Sequence, residues 1–113
     1  MTDSLRTIPD KLANLEPVRG NSMSAGFEPD GLYWVVSYST PIAVYDPTDG
    51  TLYVNDYSYS VTTSRHSGTL YRLARWSRYE VDVTPSDYSS SAARRALRDA
   101  VEANRPALTA ATE

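Results

Sequence analysis

Apolar and polar positions alternate most clearly from Leu32 to Tyr38, where Leu32, Trp34, Val36 and Tyr38 fall on one side and Tyr33, Val35 and Ser37 on the other. Aromatic and β-branched residues on both sides mark a strand with both faces at least partly covered. Ser39-Thr40-Pro41 interrupts the run and Ile42–Tyr45 resumes it, which predicts a tight reversal into a second strand. Asp46-Pro47-Thr48-Asp49-Gly50 then supplies a fixed φ at proline and a residue tolerant of positive φ at glycine, so a hairpin leads into a third strand over Thr51–Asn55. Tyr57, Tyr59 and Val61 alternate with Ser58 and Ser60 and extend this strand or form a short one of their own.

The period then changes. Thr62, Thr63 and Ser64 offer hydroxyls to the free N–H groups of a helix start, and His66, Leu70, Leu73, Ala74 and Ser77 share one side of the helix that follows, with Arg65, Arg72 and Arg75 opposite. Tyr79–Val83 returns to a period of two, with Glu80 and Asp82 on the wet face. After a serine-rich stretch at 86–91, a last helix carries Leu97, Ala100, Val101 and Asn104 along one narrow, alanine-rich edge. So small a stripe predicts a helix loosely docked or completed by a partner, including a second copy. Prolines and glycines punctuate the first thirty residues and leave room for one short helix around Pro9–Leu15.

These elements predict a small α+β domain: a three- to four-stranded, mostly antiparallel meander with one helix packed on a face and a C-terminal helix. Residues 1–30 are expected to be an irregular segment holding the short helix, 31–84 the α+β core, 85–105 the connector and C-terminal helix, and 106–113 a disordered tail. With 113 residues one domain is expected.

Composition narrows the chemistry. The net charge of −3 excludes whole-surface attraction to nucleic acid or anionic lipid, and the lack of cysteine removes disulfides, thiolate metal sites and thiol catalysis. Neither a leader of signal-peptide pattern nor a membrane-length apolar run is present, so a cytoplasmic protein without a membrane partner is expected.

His66 is the only imidazole, and its place one turn before Leu70 makes it a structural histidine together with Leu70, Leu73, Thr62 and Thr63; a hydrolase using His66 is the least favoured alternative. Gly20-Asn21-Ser22-Met23 resembles the nucleophile segment of serine–lysine peptidases, but the one lysine, Lys11, lies upstream instead of downstream. Asp46 and Asp49 lack calcium-loop spacing, and no phosphate loop or zinc set is present, so no catalytic residue, metal or cofactor is assigned.

Two excesses remain. Arg65, Arg72, Arg75 and Arg78 follow one another with no acid between Ser64 and Tyr79, and six of the nine tyrosines fall between Tyr33 and Tyr59. Arg65, Arg72, Arg75, Arg78, Tyr53 and Tyr57 are therefore the candidate residues for a protein or nucleic-acid partner.

Val36-Ser37-Tyr38-Ser39-Thr40-Pro41-Ile42-Ala43 and Tyr59-Ser60-Val61-Thr62-Thr63-Ser64-Arg65-His66, with the lead-in Arg19–Ser24, resemble the signature of an uncharacterised family of small bacteriophage and actinobacterial proteins. Where that family carries glutamine after the histidine, this chain has Ser67. The resemblance implies phage or mobile-element origin and no particular activity. The expected function is a non-catalytic phage-type accessory protein acting in the host cytoplasm on a host or phage macromolecule, foremost a protein. Nucleic-acid binding through the arginine helix face and strand tyrosines is the alternative.

Overall fold

The computed structural model describes residues 8–20, 22–56, 75, 77–87 and 89–112. Its six strands, β1 (Val18–Arg19), β2 (Met23–Phe27), β3 (Tyr33–Ser37), β4 (Thr40–Asp46), β5 (Thr51–Asn55) and β6 (Tyr79–Val83), lie in one sheet in that order. Helix α1 (Ile8–Ala13) precedes the sheet and α2 (Ser90–Thr112) follows it. Every neighbouring pair is antiparallel except β5–β6, which is parallel with Thr51 opposite Tyr79.

This corrects the expected three- to four-stranded, mostly antiparallel meander. The sheet is larger because the segment expected to be irregular contributes two strands, Met23–Phe27 pairing residue for residue with Tyr33–Ser37. The sequence MSAGF has little strand propensity of its own, so the partner strand decides its conformation. The sheet is mixed because β6 joins β5 in parallel, a relation a hairpin cannot make.

The turns follow local chemistry. Tyr38 takes a φ of 54° at the β3–β4 reversal, and a register shift between Val35 and Val36 puts Pro41 opposite Val36. A proline missing its N–H is accommodated within a sheet at such a bulge. At the β4–β5 turn the Asp46 carboxylate accepts from Thr48 N–H at 3.0 Å and the Asp49 carboxylate from Thr51 N–H at 3.0 Å, while Gly50 adopts a φ of 75°.

Each face of the sheet carries its own core. On one, Leu12, Val18, Met23, Tyr33, Val35, Ile42, Ala43 and Leu52 are buried together. On the other, Leu97 and Val101 of α2 pack onto Leu32, Trp34, Val44, Tyr53 and Val83. The expectation of a loosely docked helix is therefore corrected, since Ala93, Leu97 and Val101 are all buried against the chain's own sheet. Alanine at 92, 93, 96 and 100 lets the helix approach closely, and the large Trp34 fills the space a bulkier helix stripe would have filled. The stripe expected to seek a second copy is used internally.

Polar contacts fix the helix in place. The Arg94 guanidinium lies 4.4 Å from the Trp34 ring centroid and donates to both Glu28 oxygens at 3.0 and 3.1 Å. Trp34 Nε1 in turn donates to Asp30 at 3.1 Å, and farther along Asn104 donates to the Tyr53 hydroxyl at 2.9 Å. At the helix start, Ala92 N–H donates to Ser89 Oγ at 3.2 Å, as an N-cap should. Hydrogen bonds from the Ser89 side chain and backbone hold the Asp87 carboxyl below its ordinary range. The helix continues to Thr112, through residues the sequence pattern left as a tail.

Among the described residues, Thr51 Oγ1 is buried without a hydrogen-bond partner. Thr51→Val keeps the shape and removes the unmet polar group, so it is expected to raise stability by about 1 kcal/mol. A higher urea midpoint at unchanged slope would show this, and an unchanged or lower midpoint would refute it.

Candidate functional site

The residues that the sequence singled out separate into two groups. Arg65, Arg72, Tyr57, His66, Leu70, Leu73, Thr62 and Thr63 lie outside the described residues, as does most of the helix expected to carry the arginines and His66. Of the others, Arg75 and Arg78 are exposed and Tyr53 is not. Tyr53 belongs to the core beneath α2, with its hydroxyl taken by Asn104, so its ring presents no surface to a partner. That correction has a simple cause. Tyr53 alternates with Leu52 and Val54 in a strand covered on both faces, and period-two patterning alone does not say which face a layer of helix will cover.

The described residues leave one element conspicuously uncovered, β6. Tyr79, Glu80, Val81 and Asp82 are all exposed, Tyr79 at 57% and Val81 at 36%, and only Val83 is buried. Tyr79 and Val81 lie on the face that carries α2, because Val81 pairs with Tyr53, whereas Glu80 and Asp82 pair with Leu52 and Val54 on the opposite face. The helix covers Val83 and stops short of the other two apolar side chains.

The backbone of β6 is equally one-sided. Tyr79 N–H points to the Gly50 carbonyl, at 3.4 Å, and the Val83 carbonyl accepts from Asp56 N–H at 3.0 Å. Along a strand successive residues direct their N–H and C=O to opposite edges, so Tyr79, Val81 and Val83 serve β5 while Glu80 and Asp82 turn theirs outward. Among the described residues no strand lies beyond β6. Arg78 anchors the start of this strand: its N–H donates to the Gly50 carbonyl at 2.8 Å, and its Cγ lies 3.0 Å from where a Cβ on Gly50 would stand. Glycine at 50 thus serves both the positive φ and the close passage of the Arg78 stem.

The sequence reading placed Glu80 and Asp82 on a wet face but did not single them out. The signal was present, since a short strand with charges at alternate positions is a common way to protect a sheet edge. What it lacked was the neighbour, because pairing with β5 is set far away in the chain.

A shallow surface depression of about 380 Å³ lies over β1 to β3, with Arg19, Ser24, Gly26, Trp34 and Val36 among its lining. Among the described residues no group of three histidine, cysteine, aspartate or glutamate side chains could hold a metal ion, and no helix is long and apolar enough to cross a membrane.

No curated protein and no solved structure matches the chain. A family model does match, over residues 11–79, a span that takes in β1 to β5 and ends on the first residue of β6. The chain belongs to DUF8033, a family of unknown function.

Proposed function

We propose that the protein is a non-catalytic binding module that takes an extended segment of a protein partner onto the outer edge of β6. The observation that carries this reading is the pair of outward-facing backbone positions at Glu80 and Asp82 in a strand whose other side is fully engaged with β5. An added strand gains main-chain hydrogen bonds from such an edge and specificity from the side chains flanking it. Exposed Tyr79 and Val81 supply apolar area on one face. The resemblance to phage and actinobacterial proteins supports reading it as an accessory protein of phage type that acts in the host cytoplasm on a host or phage protein. Nucleic-acid binding is less well supported, because exposed Glu80 and Asp82 follow Arg75 and Arg78 directly and oppose the approach of phosphates.

Glu80→Pro tests the reading. It removes one outward N–H and places a ring on the outer edge while leaving the bonds to β5 intact. Peptides selected from a random linear library on the immobilised wild-type chain are expected to bind this variant at least about tenfold more weakly, with far-UV circular dichroism and melting preserved. Peptides that bind both proteins equally would overturn the proposal.

A further inference from the structure

We infer that the segment received by β6 is basic at alternate positions, with lysine or arginine facing Glu80 and Asp82 and apolar side chains facing Tyr79 and Val81. This rests on the strand-addition reading and goes beyond it by naming the partner's chemistry. In a paired strand each residue shares a face with its opposite number, so the partner's side chains that flank Glu80 and Asp82 meet two exposed carboxylates separated by one residue. Neither carboxylate has a cation facing it across β5, where the paired residues are Leu52 and Val54. Opposite charges across strands attract and like charges repel, so the edge accepts one alternation and rejects its inverse.

The same geometry argues against a second copy as the occupant. An antiparallel pair of β6 strands in the register that engages all five residues centres on Val81 and sets Glu80 of each copy against Asp82 of the other. Two carboxylate pairs would then face one another at the distance of neighbouring strands. An acidic edge of this kind discourages self-association and leaves the strand to a partner of opposite sign.

The test uses the full chain and three blocked octapeptides: lysine alternating with valine, glutamate alternating with valine, and a block-ordered peptide with the composition of the first. Titration calorimetry at moderate salt is expected to give affinity for the alternating lysine peptide at least about tenfold above both others. In the Glu80→Lys/Asp82→Lys double variant the preference should pass to the glutamate peptide. Equal binding of the alternating and block-ordered peptides, or no detectable binding of the lysine peptide, overturns the inference. Library-selected peptides that lose binding in Glu80→Pro yet show no basic alternation would overturn the charge rule and leave strand addition standing. Indifference of every peptide to Glu80→Pro would remove both.

Discussion

Leu97→Ala is expected to destabilise the protein by about 3 kcal/mol, the usual cost of removing a fully buried leucine side chain and leaving part of its volume empty. Leu97 is buried in one cluster with Trp34, Val44, Tyr53 and Val83, and the alanines beside it have no side chain long enough to fill the gap. A domain of this size has roughly 5–15 kcal/mol in total, so the loss will be plain in a urea titration. Asp99→Ala, on an exposed position of the same helix, should stay within about 0.5 kcal/mol and serves as the control. If the two substitutions cost the same, α2 does not dock as described.

The second large effect belongs to alkaline solution. Tyr33 is buried and donates its hydroxyl hydrogen to the Glu16 carbonyl at 2.5 Å, with its ring edge-on to Phe27. Burial, and then the charge of Glu16, push its pKa well above the usual tyrosine value. The folded state therefore prefers the neutral phenol, while in the unfolded chain the same phenol ionises near about pH 10. The stabilisation is complete below that pH. As pH climbs through the interval between the unfolded and folded values, folding stability should fall by about 1.4 kcal/mol per pH unit from this group alone. Tyr33→Phe should cost about 1 kcal/mol at neutral pH and flatten the alkaline decline by that slope, with the remaining tyrosines common to both proteins. Parallel decline in the two proteins would show that Tyr33 is not the group responsible.

How much of this could be read in advance varies with the range of the interaction. Strand positions at Tyr33–Ser37, Thr51–Asn55 and Tyr79–Val83 follow from alternation within each segment, and the β4–β5 reversal follows from Asp46, Asp49 and Gly50, whose bonds span only a few residues. Met23–Phe27 was hidden because nothing in its own composition asks for a strand; β3 supplies the reason. The direction of β6 was hidden for a related cause, since parallel and antiparallel strands share the same period. Tyr53 and α2 show the third kind of gap. Alternation placed the ring on one side of the strand, but only the arrival of Leu97 and Asn104 turned that side into core. The candidate edge depended on all of these at once, as it exists only when β6 lies outermost and α2 ends its cover at Val83.

The parallel join of β6 also bears on the order in which the sheet assembles. Asp46 and Thr51 meet across a short turn, as do the other hairpin partners nearby, whereas Thr51 and Tyr79 are brought together from far apart in the sequence. Pairs close in sequence cost less loop-closure entropy, so β1 to β5 are expected to form a platform on which β6 arrives afterwards. With four of its five residues exposed, β6 is expected to open more readily than β3 and β4, which lie between the two cores.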